Sequence, residues 1–156
     1  MAIHFRCGDV LSNLGKGETN YGLVQFRSYK DRILLQVLSI GIVTTPFDPN
    51  HLRREDAAFG RSWQRLVQEL VSYLSASFPQ ANVTIRNDPD ETIPMIYSRL
   101  IMAKQMFCVR STFCVFPAIA SFGTRYIQEG GVAYFVSPIA DAYKNIELMN
   151  DGKHLA

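Results

Sequence analysis

The chain has 156 residues, of which 47% are hydrophobic and 19% are charged, and its formal net charge at pH 7 is +2. This length and composition are typical of a single globular domain that buries a substantial core. The small net charge favours neither a nucleic-acid surface nor a membrane surface, and no apolar run reaches the ~18 residues that a membrane span requires.

The first strong pattern is an alternation of apolar and polar residues over Ile3–Arg6, which ends at the turn pair Gly8 and Asp9. It predicts a short strand that runs into a turn. His4 and Arg6 are two residues apart and therefore share one face of the strand. A guanidinium suits phosphate, and ligands of open α/β sheets bind beyond the carboxyl ends of strands, so a nucleotide diphosphate fits here. The open alternative is an edge strand with two solvated polar side chains.

The next segments carry weaker signals. Leu11–Asn20 is rich in Gly, Ser and Asn and predicts a loop, but its glycines lack the spacing of a Walker-type phosphate loop. Tyr21–Arg32 has weak helical or mixed character. The β-branched and aliphatic run Ile40–Thr44, just before Pro46, predicts a buried parallel strand.

The clearest helix signal covers Asp56–Ser77. Apolar residues recur there at steps of three and four, which places them on one stripe of an amphipathic helix: Phe59, Trp63, Leu66, Val67, Leu70, Val71 and Leu74. Pro79 ends the helix near Phe78. Trp63 is predicted to lie in the core and not to form a ligand platform.

An acid-rich turn separates a predicted strand, Val83–Ile85, from a predicted helix, Pro94–Lys104. In one interpretation, the acids and Thr92 cap the helix and stabilise its dipole. In the other, one carboxylate of Asp90 or Glu91 faces the base or ribose of a nucleotide. The residues alone leave both interpretations open.

A further strand is predicted at Phe107–Val109, and a helix is predicted over Val115–Phe122. Between them lies Ser111-Thr112-Phe113. A serine at such a junction can cap the helix, and the same junction can present backbone amides to an anion. A last strand is predicted at Ala133–Val136, and a helix followed by a tail over Asp141–Ala156.

The alternation of strands and helices predicts one Rossmann-like three-layer α/β domain with a mostly parallel sheet and right-handed crossovers. The cysteines Cys7, Cys108 and Cys114 are odd in number and have no zinc-site spacing, which favours a reducing compartment.

Two motifs resemble those of a known superfamily. Ile3-His4-Phe5-Arg6-Cys7-Gly8-Asp9 looks like the His-x-Arg-x-Gly-Asp signature of GDP-fucose-dependent glycosyltransferases, which include α-1,2-, α-1,6- and protein O-fucosyltransferases. Ser111-Thr112-Phe113 resembles the Ser-Ser/Thr-Phe motif that opens a late helix in the same superfamily. The resemblance covers roughly residues 3–138.

The resemblance implies one Rossmann-like half of a GT-B-type fold, which binds GDP-fucose or a related GDP-sugar. It also implies inverting transfer to a glycan or protein acceptor, without a metal and with no cofactor other than the donor. A second, amino-terminal Rossmann half would complete the enzyme; neither nucleic acid nor a membrane segment is expected. The compartment would be the cytoplasm, or the Golgi or endoplasmic reticulum lumen if the chain belongs to a longer eukaryotic protein.

The resemblance also assigns roles to individual residues. Arg6 would be the catalytic residue, because it would bind the β-phosphate and the bridging oxygen of the donor. The remaining positions would bind the donor: His4 at the nucleoside, Ser111, Thr112 and Phe113 at phosphate and guanine, and Gly8, Asp9, Asp90 and Glu91 around them. Two alternatives remain open, a non-catalytic nucleotide-sugar-binding or assembly domain and a structural α/β domain whose motif matches are accidental.

Overall fold

A computed structural model describes residues 1–5, 24–44, 56–109, 111–128 and 146–149, without the side chains of 56–60 and 148. The elements in chain order are β1 (Ala2–His4), α1 (Phe26–Lys30), β2 (Ser39–Val43), α2 (Asp56–Ser77), β3 (Asn82–Arg86), α3 (Ile93–Ile101), β4 (Gln105–Cys108), a 3₁₀ turn (Thr112–Cys114), α4 (Val115–Ala120), β5 (Thr124–Gln128) and β6 (Ile146–Met149).

The six strands form one sheet in the order β3-β2-β1-β4-β5-β6, and every neighbouring pair is parallel. This confirms the predicted α/β class with a mostly parallel sheet. The chain builds the sheet outward from β1 through β2 to β3, and then outward on the other side from β4 to β6. The direction of growth therefore reverses between β1 and β4. In open α/β sheets, ligands bind at this switch point, beyond the carboxyl ends of the two strands.

Each face of the sheet has its own apolar core, because side chains alternate between the faces along a strand. On one face, Ile3 and Phe107 pack with Trp63 and Leu70 of α2. On the other face, the core joins the sheet to α3 and α4 through the buried residues Ala2, Val43, Leu100, Met106, Cys108, Cys114, Ala118 and Ile127. The two cores and the sheet between them make the three layers of the fold.

The predicted bounds of α2 and the predicted burial of Trp63 are confirmed. The Trp63 side chain is 4% exposed and stacks on Phe5, with ring centroids 4.7 Å apart. Its indole Nε1 donates a hydrogen bond to Oγ1 of Thr44 at 3.3 Å. A buried indole N–H thus has an acceptor at the end of β2, which fixes how the helix lies on the sheet.

Two strands on one side of the sheet differ from the sequence-based expectations. Ile146–Met149 form β6, beside β5, and not part of the helix expected over Asp141–Ala156. This four-residue segment is mostly apolar, and next to the edge of β5 it gains main-chain hydrogen bonds by extending. Thr124–Gln128 form β5, where no strand was expected. The strand predicted at Ala133–Val136 lies outside the described residues.

None of the helices in the described part of the chain is both long enough and apolar enough to cross a membrane.

Candidate functional site

The switch point brings together residues from the two ends of the chain. His4 is the last residue of β1, and Phe113 lies in the 3₁₀ turn that follows β4. Their rings stack with centroids 5.1 Å apart and planes inclined by 17°. The expected convergence of His4 with the segment Ser111–Phe113 is therefore present at the carboxyl edge of the sheet.

Helix α3 supplies the other neighbour of this aromatic ring. Tyr97 meets Phe113 edge to face, with centroids 4.7 Å apart. Phe113 thus lies between an imidazole on β1 and a phenol on α3. Such offset and edge-to-face pairs add to the stabilisation that burial gives, so three elements hold this side chain in place.

Ser111 caps the 3₁₀ turn and not helix α4, which starts after Cys114 without a side-chain capping bond. The Oγ of Ser111 accepts a hydrogen bond from the backbone N–H of Phe113 at 3.3 Å, and its carbonyl accepts one from the N–H of Cys114 at 3.1 Å. Ser111 is buried, whereas Thr112 beside it is exposed. An incoming anion would therefore meet Thr112 first, while Ser111 shapes the turn.

The acidic turn follows β3, a strand that lies two positions, or about 10 Å, from β1 in the sheet. Nε of Arg99, in α3, donates a hydrogen bond to the carboxylate of Glu91. The N–H of Asp90 donates to Oδ1 of Asp88 at 2.9 Å. These contacts hold the turn and α3 together, but they are not the capping bonds that one interpretation expected. Thr92, at the start of α3, makes no side-chain capping bond, and no acidic residue lies in the first turn of the helix.

Arg6, Gly8 and Asp9 lie outside the described residues. The roles that the resemblance gives them remain predictions. Arg6 follows His4 by two positions in the sequence, just beyond the end of β1.

The switch point also contains a disulfide that was not expected from the sequence. Cys108 and Cys114 form a disulfide, and both residues are fully buried. Nδ1 of His4 lies 3.2 Å from the sulfur of Cys114. His4 and Cys108 are register partners on neighbouring strands, so their side chains project to the same face. Sequence spacing could not find this group, because its members lie in three separate elements.

No protein-family model, curated protein or solved structure matches this chain. The function must therefore be argued from the geometry of the switch point and from the two sequence motifs.

Proposed function

We propose that this chain is the donor-binding domain of an inverting glycosyltransferase that uses GDP-fucose or a related GDP-sugar. The observation that carries the proposal is the stacking of His4 on Phe113 at the switch point. These two residues come from the two separate motifs that resemble the GDP-fucose-dependent superfamily. Their meeting at the edge where open α/β sheets bind ligands supports reading both motifs as one site.

Each residue of the site has a chemical role in the proposal. One ring face of His4 packs on Phe113 and its Nδ1 approaches Cys114, so we assign His4 the role of positioning the turn at the nucleoside. The exposed Thr112 and the backbone of the turn contact the donor phosphates. Arg6 follows β1 and neutralises the diphosphate.

The chemistry requires this placement of positive charge. When the bond between sugar and diphosphate breaks, positive charge builds on the sugar and negative charge on the leaving phosphate. A fixed guanidinium and oriented amides stabilise that developing charge without reorganising during the reaction. The acceptor-binding site and the base that activates the acceptor would belong to the amino-terminal half that the resemblance implies.

Dinucleotides are the main competing ligands, because the same strand order occurs in dinucleotide-binding folds. Those folds carry Gly-x-Gly-x-x-Gly in the turn after the first strand. Between β1 and β2, the nearest sequence to this pattern is Gly15-Lys16-Gly17, and Asn20 stands where the third glycine would be. The sequence therefore favours a nucleoside diphosphate sugar over a dinucleotide.

A thermal-shift series on the full chain tests the binding step, with GDP, GDP-fucose, ADP, UDP and NAD as ligands. A ligand present at 100 times its Kd should stabilise the folded chain by about 2.7 kcal/mol. We expect GDP and GDP-fucose to raise Tm selectively. If all five ligands leave Tm unchanged, the structural-domain alternative is correct and the proposal is wrong.

Two phenylalanine variants locate the binding site. Phe113→Ala removes the ring held between His4 and Tyr97 and should weaken GDP binding about tenfold or more, which is 1.4 kcal/mol or more. Phe116→Ala is the matched control, because this side chain is 69% exposed on α4 only three residues away. Equal losses in both variants would place the GDP site elsewhere.

Release of labelled fucose from GDP-fucose distinguishes an enzyme from a binder. Turnover by the chain, alone or with an acceptor and the completing half, supports the transferase. Selective GDP binding without turnover under both conditions supports the non-catalytic nucleotide-sugar-binding or assembly domain instead.

A further inference from the structure

We propose that His4, Cys108 and Cys114 form a redox-controlled binding site for a zinc-class ion. The site is occupied when the two cysteines are reduced and is closed when they form a disulfide. This inference does not depend on the sugar donor, because it rests on the ligand atoms at the switch point and not on the motif resemblance.

The geometry of the three ligand atoms carries the inference. One imidazole nitrogen and two sulfurs all lie within 4.8 Å of one another, and all three residues are buried. Zinc binds Cys sulfur at about 2.3 Å and His nitrogen at about 2.0 Å, so tetrahedral ligands around one ion stand about 3.6–3.8 Å apart. The contact of 3.2 Å between His4 Nδ1 and Cys114 Sγ is already close to that separation.

The backbone places these ligands before any ion binds. His4 and Cys108 are neighbours across the parallel pair β1–β4, and Cys114 lies at the end of the 3₁₀ turn that folds back over that edge. The Cα atoms of Cys108 and Cys114 are 6.1 Å apart. Breaking the sulfur–sulfur bond lets the thiolates separate toward the ~3.8 Å that a shared ion requires, through side-chain rotation.

The two thiolates and the imidazole determine which metal ion the site prefers. Thiolates are soft ligands that favour zinc and copper(I) over magnesium or calcium, and imidazole suits zinc as well. Two cysteines and one histidine are also a ligand set of known zinc sites, in which water or a substrate takes the fourth position. Water, or an anion at the carboxyl edge of the sheet, would complete the tetrahedron here.

Opening the site is a balanced thiol–disulfide exchange. A small dithiol reductant attacks one sulfur as its thiolate, the Cys108–Cys114 bond breaks, and a mixed disulfide forms. The second thiol of the reductant then releases both cysteines and leaves as a cyclic disulfide, so two electrons and two protons pass to the protein. Zinc binding afterwards releases two protons as the thiols become thiolate ligands.

The test uses Co²⁺ as a spectroscopic substitute for Zn²⁺ on the full chain, kept free of oxygen. The reduced chain should bind one ion per molecule, with thiolate-to-cobalt absorption in the near ultraviolet and the visible bands of tetrahedral cobalt. Zn²⁺ should displace it. The chain with the disulfide intact should show neither signal, and a dithiol should restore both. This comparison needs no substitution, so a folding defect cannot explain the result.

Variants identify the ligands. His4→Asn, Cys108→Ser and Cys114→Ser should each weaken Co²⁺ binding by more than the roughly 10–100-fold that loss of a supporting partner costs. Cys7→Ser and His51→Asn are the matched controls, because they change the same residue types at positions to which the proposal assigns no ligand. Both variants should retain the wild-type affinity. Circular dichroism of each variant checks that it folds.

Three results would overturn the inference. The first is a reduced chain without a tetrahedral, thiolate-bound cobalt spectrum. The second is cobalt binding that oxidation of the cysteines leaves unchanged. The third is a loss of binding in Cys7→Ser while Cys108→Ser and Cys114→Ser keep it.

Discussion

Arg6 is the residue on which the proposed transfer chemistry depends. If its guanidinium stabilises the leaving diphosphate, Arg6→Ala should lower turnover more than it weakens GDP binding. By comparison with the removal of one oxyanion-hole donor, we expect a loss of about 10²–10³ in kcat, or roughly 3–4 kcal/mol. Arg6→Lys should restore little, because a point charge cannot reproduce a bidentate fork of donors. Turnover and GDP affinity should be measured together, in the presence of the half that completes the enzyme.

Two control variants make this comparison interpretable. Arg61→Ala removes an exposed arginine from α2 and should change neither quantity. Cys7→Ser should also be nearly silent, because the proposed mechanism assigns its thiol no chemical role. If Cys7→Ser abolishes turnover while Arg6→Ala keeps it, a thiol mechanism replaces the proposed one.

Tyr126 lowers the free energy of unfolding at alkaline pH. Burial in the core, followed by the negative charge of Glu147, raises the pKa of Tyr126 above its usual value of 10.0, although a hydrogen bond with Gln105 partly offsets this. The unfolded chain loses this proton near pH 10, whereas the folded chain keeps it. The folded state then binds more protons, so the free energy of unfolding falls as pH rises above about 10 and is unaffected below it.

Urea unfolding of the wild type and of Tyr126→Phe at about pH 9 and about pH 11 measures this effect. The variant should lose less stability between the two pH values, because it has no proton to release. A loss equal to that of the wild type would show that other groups cause the alkaline decline.

At the scale of elements, the junction between α4 and β5 has no room for a side chain at Gly123. A Cβ atom at this position would lie 2.4 Å from the carbonyl oxygens of both Ala103 and Lys104. The Lys104 oxygen also accepts the first hydrogen bond of β5, from the N–H of Thr124 at 3.0 Å. Gly123→Ala should therefore destabilise the fold by roughly 1–3 kcal/mol, since backbone must move to admit the methyl group.

Gly41 provides the control for that prediction. A Cβ at Gly41 would meet its nearest neighbours, in Arg86 and Met1, at 3.8 Å, which is ordinary contact. Gly41→Ala should be neutral or should stabilise by about 0.4–1 kcal/mol, because it restricts the unfolded chain. Urea midpoints measure both variants. Equal midpoints for the two would mean that the junction can relax around an added methyl group.

Some elements could be predicted from local pattern and others could not. Helix α2 has a long apolar stripe and a proline stop, and both of its predicted ends agree with the structure. Strand β5 was missed because Arg125 and Gln128 are buried in it, and polar residues hide a strand from a hydrophobicity pattern. The guanidinium of Arg125 donates to the carbonyl of Ser121, a contact that depends on tertiary structure.

In the candidate site, too, contacts that depend on tertiary structure could not be predicted from the sequence. The meeting of His4 with the segment after β4 could be predicted, because His4 ends one strand, the segment follows another, and parallel strands end at a common edge. The approach of Cys114 to His4 could not, since it depends on the 3₁₀ turn that folds back over that edge. The partners of Glu91 likewise depend on how α3 packs.

At the scale of the whole molecule, the two cores share their strands. Along β1, Ala2 belongs to one core and Ile3 to the other, and along β4 the same holds for Met106 and Phe107. When such a strand detaches from the sheet, it removes side chains from both cores at once. The two faces should therefore unfold together in one cooperative transition, as small single domains usually do.

A variant on one face, observed by a probe on the other, tests this cooperativity. Leu100 of α3 is fully buried in the core opposite Trp63, the only tryptophan of the chain. Leu100→Ala should destabilise the fold by about 2–5 kcal/mol. The urea midpoint from Trp63 fluorescence and the midpoint from far-ultraviolet circular dichroism should shift by equal amounts. Met102→Ala, at a side chain that is 78% exposed, should move neither midpoint. If Leu100→Ala shifts the dichroism midpoint and leaves the fluorescence midpoint in place, the two layers unfold independently and the chain is not one cooperative unit.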